Sequence, residues 1–381
     1  MIFAQKPPMG WNAWNYFGYA DINEQVVRET ADAMVEKGFR DAGYNIVQVD
    51  DAWLLQKRDE NGDLQPNPER FPSGMKALGD YIHERGMKFG LWFEPEMVSE
   101  NSDLYRAHPD WAIGVPGLKP CPGRFAKWGV DVLKYDFGYI APGCNIENLF
   151  RRMGQALRES GRDIMLAACY GSTTITPWIR STGASMWRLS GDITDSWDSI
   201  VKVAKNALSV GGYSGPCGWN DPDMMVVGLD GKGFVGGIGG GCTLNEYSAH
   251  FAIWCMLSAP LLMGHDVRNT TPEIAEILLN KELIAINQDD LGIQAFTLPP
   301  MSNDDFILAK PLYGGDIAFC LINDWDVPKR MILSWEYCGW EVTDRVRIRD
   351  VINHKELGEF ECGTDIIVPA HSAVVWKATR I

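Results

Sequence analysis

The feature that most constrains the fold is a regular alternation of short apolar runs with amphipathic segments up to about residue 290. The apolar runs have the length of β-strands, whereas the segments between them carry apolar residues at helical spacing. Strands are predicted at Asn45–Asp50, Lys88–Phe93, Val132–Tyr135, Ile164–Ala168, Met186–Leu189, Gly218–Asn220 and Pro260–Met263. With a further strand at the Met-Gly-Trp sequence near residue 10, the pattern makes about eight β/α steps, the number and length of a (β/α)8 barrel.

Helices are predicted at Asn23–Gly38, Met75–Arg85, Gly123–Trp128, Ile146–Ser160, Thr176–Thr182 and Trp197–Ser209. One later segment, Gly231–Gly241, is unusual because it is dominated by glycine. It lacks the preceding strand and the following helix that a phosphate-binding glycine loop requires. We therefore predict a flexible loop over the mouth of the barrel.

The pattern changes after Gly292, where strand-like runs follow one another with turns between them and without helical periodicity. Examples are DIAFCLIN, KRMILSW, VRIRDVIN, TDIIVPA and SAVVWKA. A chain of 381 residues also exceeds the usual size of a single hydrophobic core. We predict two domains, a barrel over residues 1–292 and a small antiparallel β domain over residues 293–381.

The charge of the chain limits the class of partner. The formal net charge is −15, and nucleic acids and anionic membranes attract positive surfaces, so neither is expected as a partner. No apolar stretch reaches the roughly 18 residues of a membrane helix. The first residues, MIFAQKPPMGWN, do not have the pattern of a signal peptide.

The cysteines and histidines are also informative. Nine cysteines, an odd number without a CxxC pair, predict reduced thiols and a cytoplasmic location. The six histidines show no metal-binding spacing, so we predict neither a metal site nor a cofactor. The sequence leaves the oligomeric state open, a homo-oligomer included.

Polar and aromatic residues recur at the carboxyl ends of the predicted strands. In a parallel barrel these ends meet at one mouth, where catalytic groups lie. The residues concerned are Trp14, Asp50, Asp51, Trp92, Lys134, Asp136, Cys169, Arg188, Asp192 and Asp223. Carboxylates accept hydrogen bonds from sugar hydroxyls, and tryptophan rings pack against the C–H faces of sugars. The set therefore predicts a carbohydrate as the ligand.

Two of these acids have the positions expected for glycoside cleavage, which requires two carboxyl groups that flank the bond. Lys134 would keep Asp136 ionised through its opposite charge, so Asp136 is the candidate nucleophile. Asp192 is the candidate proton donor. Arg188, four residues before Asp192, is a complication, because a close cation opposes protonation of a carboxylate. The complication does not arise if Arg188 holds the substrate or Asp223 instead.

The motifs that carry these residues resemble those of glycoside hydrolase family 27, the α-galactosidase family. They are MGWNAW, VDDAW, LKYD, WRLSGDITDSWDSI, GWNDPDM, APLLMGHDVRN and INQDDLG, in the order of the family. The resemblance implies a β-sandwich after the barrel, Asp136 as the nucleophile and Asp192 as the acid/base of a retaining reaction. It also implies that Asp50 and Asp51 bind the 4- and 6-hydroxyls of the sugar. Further binding or supporting positions that it implies are Trp14, Lys134, Arg188 and Asp223.

Two segments depart from the family pattern. Residues 90–110 are closer to family 36 α-galactosidases, in which a tryptophan, here Trp92, stands where family 27 usually has tyrosine; the role of residues 94–110 stays open. In AACYGS, residues 167–172, the pair that faces the 2-substituent of the sugar corresponds to Cys169 and Ser172. These small residues would leave room for the acetamido group of N-acetylgalactosamine. Family 36 enzymes also have small residues there and act on galactose, so the loop does not decide between the sugars.

We predict a retaining exo-α-galactosidase that releases terminal α-linked galactose from oligosaccharides or glycoconjugates. An α-N-acetylgalactosaminidase is the main alternative, and a β-L-arabinopyranosidase is a more distant one. Two other classes stay open. One is a Schiff-base lyase that uses Lys134 as its amine, and the other is a sugar-binding protein without catalytic activity.

Overall fold

The computed structural model describes residues 4–55, 59–60, 63–94, 122–137, 145–300 and 305–381. Its first part contains eight parallel strands, which are β1 (Met9–Asn12), β2 (Ile46–Val49), β3 (Lys88–Phe93), β4 (Val132–Tyr135), β5 (Met165–Ala168), β6 (Ala184–Arg188), β7 (Trp219–Asp221) and β8 (Leu261–Met263). They form one sheet in the order β7-β6-β5-β4-β3-β2-β1-β8.

The sheet closes on itself beyond the end of β7. The Met225 N–H donates a hydrogen bond to the Leu262 carbonyl at 2.7 Å, and the Gly264 N–H donates to the Met225 carbonyl at 3.0 Å. Met225 thereby forms a parallel bridge to Met263 of β8. The barrel expected from the eight β/α steps is confirmed, so the carboxyl ends of its strands surround one mouth.

Helices connect these strands and cover the barrel. They are α1 (Trp14–Phe17), α2 (Glu24–Glu36), α3 (Gly74–Glu84), α4 (Pro122–Trp128), α5 (Ile146–Glu159), α6 (Thr176–Ile179), α7 (Trp197–Ser209), α8 (Gly233–Gly239), α9 (Leu244–Met256), α10 (Pro272–Leu278) and α11 (Lys281–Asn287). The sequence pattern did not predict α9, because most of its residues are buried and it has no polar face to create a helical period. Its start is fixed by a capping box between Thr243 and Glu246.

The prediction of a flexible loop at Gly231–Gly241 was wrong, because its central residues form helix α8. Glycine is a poor helix former, but the missing side chains let the backbone of α8 pack closely. A Cβ atom on Gly233 would lie 2.6 Å from the Cα atom of Tyr16, and one on Gly239 would lie 2.4 Å from backbone atoms of Asp195. Tertiary packing therefore outweighs the low helix propensity of this segment.

The later strands form an antiparallel domain. They are β9 (Phe296–Thr297), β10 (Phe306–Pro311), β11 (Ile317–Asn323), β12 (Lys329–Leu333), β13 (Val346–Asp350), β14 (Lys355–Phe360), β15 (Thr364–Val368) and β16 (Ser372–Arg380). One sheet has the order β14-β13-β16-β11-β10-β9, and the second pairs β12 with β15. In β11, Cys320 and Ile322 join the core of the barrel, whereas Phe319 and Leu321 join a separate core of the domain, as the period of a strand requires. The expected β-sandwich is confirmed.

A buried lysine joins the two parts of the chain. The side chain of Lys310, on β10, is fully buried. Its ammonium group donates hydrogen bonds to the Ser258 hydroxyl and, at 2.6 Å, to the Ile293 carbonyl. Burial lowers the pKa of Lys310 to about 8, although the nearby Asp289 carboxylate opposes that change.

The depressed pKa of Lys310 predicts a pH-dependent stability. Unfolding returns the lysine to an ordinary pKa near 10.5, so between pH 8 and 10.5 the unfolded chain binds more protons than the folded chain. We expect the free energy of unfolding of the unmodified protein, relative to Lys310→Met, to rise by up to about 3 kcal/mol across this range. Denaturant unfolding at several pH values measures the difference. A difference that does not change with pH would contradict the prediction, and Lys76→Met, at an exposed lysine, is the control for loss of a charge.

The described residues contain neither a membrane-spanning helix nor a disulfide bond. None of their helices is long and apolar enough to cross a membrane. Their cysteines are free thiols, at positions 169, 217, 242, 255, 320, 338 and 362. The other two cysteines, Cys121 and Cys144, lie outside the described residues.

Candidate active site

A cavity of about 310 Å³ lies at the carboxyl ends of the barrel strands. Its volume is at the lower end of the range for small-molecule sites. Nine residues predicted from the sequence line it, namely Trp14, Asp50, Asp51, Trp92, Lys134, Asp136, Cys169, Arg188 and Asp192. The strand ends therefore bring together residues that are up to 178 positions apart in the chain, counted from Trp14 to Asp192.

Asp136 follows β4 and is held by three neighbours. The Trp92 indole Nε1 donates to its Oδ2 at 3.0 Å, the Phe137 N–H donates to its Oδ1 at 2.7 Å, and the Lys134 Nζ lies 3.5 Å from Oδ2. Burial alone would raise the pKa of Asp136. The positive charge of Lys134 lowers it, as do hydrogen bonds from Trp92, from the Cys169 thiol and from the Phe137 N–H, so the pKa of Asp136 lies below its usual value. The carboxylate is therefore ionised at neutral pH and fixed in orientation.

Lys134 lies between two carboxylates. Its Nζ is 2.9 Å from Asp50 Oδ2 as well as 3.5 Å from Asp136 Oδ2. Burial would lower the pKa of Lys134, but Asp50 and Asp136 raise it well above its ordinary value. The amine is thus protonated, and a protonated amine is not a nucleophile. This geometry is unfavourable for a Schiff-base reaction at Lys134.

Asp50 and Asp51, which follow β2, have different surroundings. Asp50 is buried, and the Asn12 side-chain amide donates to its Oδ2 at 2.7 Å. Asp51 is only partly buried, and burial together with the charge of Asp50 raises its pKa. Both line the cavity. They present carboxylate oxygens as acceptors for the hydroxyls of a ligand.

Arg188, at the end of β6, is shared by two carboxylates. Its Nη2 atom lies 2.7 Å from Asp192 Oδ1 and 2.7 Å from Asp223 Oδ2. Asp223 is buried behind the cavity wall, and it also accepts a hydrogen bond from the Ile193 N–H at 2.8 Å. Asp192 is at the rim, with 59% of its side chain exposed. Arg188 thus contacts both carboxylates at the same distance, and burial raises the pKa of Asp223 to about 7. Of the two acids, Asp192 at the exposed rim is the one that a leaving group can reach.

Not every predicted residue lies in the cavity wall. The Ser172 hydroxyl accepts a hydrogen bond from the Thr174 N–H and thereby caps a short 3₁₀ turn. Ser172 lines a neighbouring surface pocket, whereas Tyr170 is part of the wall of the main cavity. The wall beside Cys169 thus contains Tyr170 and Gly171, whereas the predicted Ser172 lies outside it.

Tyr19 is a residue of the wall that the sequence did not identify. Tyr19 lies just after α1, and its side chain is 54% exposed at the mouth. Glu94 follows β3 directly and also lines the cavity. Its position directly after the predicted strand Lys88–Phe93 marks Glu94 as a strand-end acid, but the sequence alone assigns it no role. The rest of the family 36-like segment, residues 95–110, lies outside the described residues.

Comparison with known proteins identifies the family of the chain. The family model described as "Alpha galactosidase A" matches residues 6–289, and "Alpha galactosidase C-terminal beta sandwich domain" matches residues 304–378. Alpha-galactosidase 3 of Arabidopsis thaliana is 39% identical over 383 aligned positions, which cover 99% of this chain and 82% of the relative. The crystal structure of alpha-galactosidase I from Mortierella vinacea has a TM-score of 0.87 and 30% identity, with coverage of 99% of this chain and 98% of that one.

The similar proteins also include one named for a different sugar. The alpha-N-acetylgalactosaminidase of Gallus gallus is 31% identical over 400 aligned positions, which cover 98% of this chain and 93% of the relative. The matches thus extend through both the barrel and the β domain. The chain therefore belongs to the α-galactosidase family, glycoside hydrolase family 27.

Proposed function

We propose that the protein is a retaining exo-α-galactosidase in which Asp136 is the nucleophile and Asp192 the acid/base. The observation that carries the proposal is the presence of these two carboxylates in one cavity with unlike surroundings. Asp136 is ionised and held by Trp92 and Lys134, whereas Asp192 is at the open rim. Retaining glycosidases need this combination of a fixed anionic nucleophile and a second carboxyl group that exchanges a proton.

The reaction follows from this arrangement in two steps. An oxygen of Asp136 attacks the anomeric carbon, while Asp192 donates a proton to the departing glycosidic oxygen. Asp192 then removes a proton from water, which attacks the galactosyl–Asp136 ester and releases galactose with its α configuration retained. Asp223 takes no part in bond making; it positions Arg188 through the 2.7 Å contact behind the wall.

The shape of the wall favours galactose over N-acetylgalactosamine. The small residue Ser172 is occupied by its capping hydrogen bond and does not line the cavity. Tyr170 lines it instead, and its ring lies 6.4 Å from that of Phe137, measured between centroids. A tyrosine beside Cys169 reduces the space for an acetamido group. The similarity to plant and fungal α-galactosidases supports the same preference.

A side-by-side assay tests this preference. We expect kcat/KM for p-nitrophenyl α-galactoside to exceed that for the α-N-acetylgalactosaminide by about tenfold or more, because an unfavourable steric contact of a few kcal/mol is enough for such discrimination. The p-nitrophenyl β-L-arabinopyranoside is the third substrate of the set. A higher kcat/KM for either competitor would contradict the galactose assignment. No turnover of any of the three would instead support a sugar-binding protein without activity.

A further inference from the structure

Three aromatic rings form a cluster at the mouth of the cavity. Trp14 and Tyr19 line the cavity itself, and Phe234 of helix α8 lies beside them. Their ring centroids are 4.7 Å apart for Trp14 and Tyr19, 5.0 Å for Trp14 and Phe234, and 6.0 Å for Tyr19 and Phe234. Tyr19 is 54% exposed and Phe234 is 41% exposed. The cluster therefore extends from the sugar-binding cavity outward to solvent, with two rings available for contact.

The ring of Phe234 is fixed by close packing against a glycine. A Cβ atom on Gly18 would lie 2.8 Å from Phe234 Cγ, so the ring lies directly on the Gly18 backbone. Gly18 has a φ of +50°, a conformation that glycine adopts without a steric penalty. On the same helix, Gly233 is packed against the backbone of Tyr16. Glycines on both sides thus allow α1 and α8 to bring Phe234 to the mouth.

A buried acid holds the glycine-rich segment in place. Asp195 Oδ2 accepts a hydrogen bond from the Gly231 N–H at 2.9 Å, and the Asp195 carbonyl accepts one from the Gly241 N–H at 3.0 Å. The Tyr247 hydroxyl donates to the Asp195 carboxylate at 2.9 Å. Asp195 is three residues after Asp192. The segment that carries Phe234 is therefore anchored to the loop that carries the proton donor.

We propose that Tyr19 and Phe234 form the binding site for the leaving group of the substrate. The proposal rests on the proposed function, because a leaving group is defined only if the cavity holds the galactosyl ring. A group that departs from the anomeric carbon extends out of the cavity at the rim, where Asp192 must reach its oxygen. The aromatic cluster is continuous with that cavity through Trp14 and Tyr19.

The chemistry of the cluster defines its ligand. Exposed aromatic faces bind flat groups with an apolar face, such as the C–H face of a hexopyranose or an aryl ring. The exposed phenyl of Phe234 offers no hydrogen-bond donor or acceptor, so contact with it does not depend on the pattern of hydroxyls. The site thus binds leaving groups with different rings of this shape, whereas a leaving group without a ring gains little binding energy from it.

Substrates that differ only in the leaving group test the proposal. For Phe234→Ala, we expect kcat/KM to fall about tenfold on melibiose and on p-nitrophenyl α-galactoside, but less than about twofold on methyl α-galactoside. Inhibition by free galactose should be unchanged. The matched control is Phe296→Ala, because Phe296 is 44% exposed on β9 and does not line the cavity. Melibiose and the aryl substrate show whether a sugar ring, an aryl ring or both use the site.

The outcomes separate the two proposals. If the unmodified protein cleaves none of these substrates, the proposed function fails and the leaving-group site fails with it. If the unmodified protein is active and Phe234→Ala lowers kcat/KM equally on all three substrates, or on none, only the leaving-group site is overturned. Phe234→Leu, which keeps an apolar side chain without a ring, serves if the alanine variant does not fold, and Phe234→Tyr should retain the kcat/KM of the unmodified protein on melibiose.

Discussion

Replacement of Asp136 by alanine is expected to lower kcat/KM on p-nitrophenyl α-galactoside by about 10⁴-fold or more, because the variant has no group to form the covalent intermediate. Lys134 and Trp92, which both contact the carboxylate, would remain and preserve the shape of the cavity. Asp80→Ala, at an exposed aspartate on α3, is the matched control and should keep its activity. An Asp136→Ala variant with undiminished kcat/KM would remove Asp136 from the mechanism.

Azide provides a second measurement on the same variant. The alanine leaves space beside the anomeric carbon, so azide can attack from the side that the Asp136 carboxylate normally occupies. We expect azide to restore part of the activity and to yield β-galactosyl azide, the inverted product. The anomeric configuration of the product can be read by proton NMR. Formation of the α-azide in this variant would show that another group of the enzyme is the nucleophile.

Replacement of Asp192 by alanine is expected to have an effect that depends on the leaving group. On melibiose, whose glucose must be protonated as it departs, kcat/KM should fall by about 10²- to 10⁴-fold. On p-nitrophenyl α-galactoside the loss in kcat/KM should be much smaller, because p-nitrophenolate leaves without a proton. Steady-state kinetics on the two substrates measures the contrast.

Azide again distinguishes the roles. In Asp192→Ala the intermediate forms on Asp136 but lacks a base for its hydrolysis, so azide should accelerate turnover of the aryl substrate and yield α-galactosyl azide. An equal loss on melibiose and on the aryl substrate would contradict the role of Asp192 as proton donor. Asp192 is 59% exposed, and Arg188 keeps its contact with Asp223 in this variant. We therefore expect only a small loss of folding stability, which thermal unfolding can check.

Much of the barrel was predictable from local sequence. The predicted strands Lys88–Phe93 and Val132–Tyr135 have the same bounds in the structure. Strands of a parallel barrel are covered on both faces, so they are short apolar runs that end abruptly at polar residues. For the same reason the ends of the strands identified the site, since Asp50 and Asp136 each follow a strand directly. The position of a residue at the end of a strand is encoded by its neighbours in the sequence, and the closure of the barrel brings these strand ends close together.

Other features depended on contacts between distant segments. Gly231–Gly241 has the composition of a loop, but its central part is a helix because Tyr16 and Asp195 pack against its glycines. Ser172 is three residues after Cys169, yet the chain turns after β5 and directs its hydroxyl to Thr174. Neither outcome is visible from residue types alone. Sequence spacing predicts proximity well along a strand or helix and poorly where the chain turns.

By itself the sequence determined the barrel, the β domain and the identity of the acids at the mouth, because apolar periodicity and strand ends are encoded in neighbouring residues. Only the tertiary structure decided how those acids are charged and arranged. Asp136 is ionised because Lys134, Trp92 and Cys169 surround it, and Arg188 contacts Asp223 and Asp192 together. Likewise, Phe234 reaches the mouth only because α8 packs on α1. Electrostatic interactions and packing depend on distances between atoms in space, and these distances are set only when the chain folds.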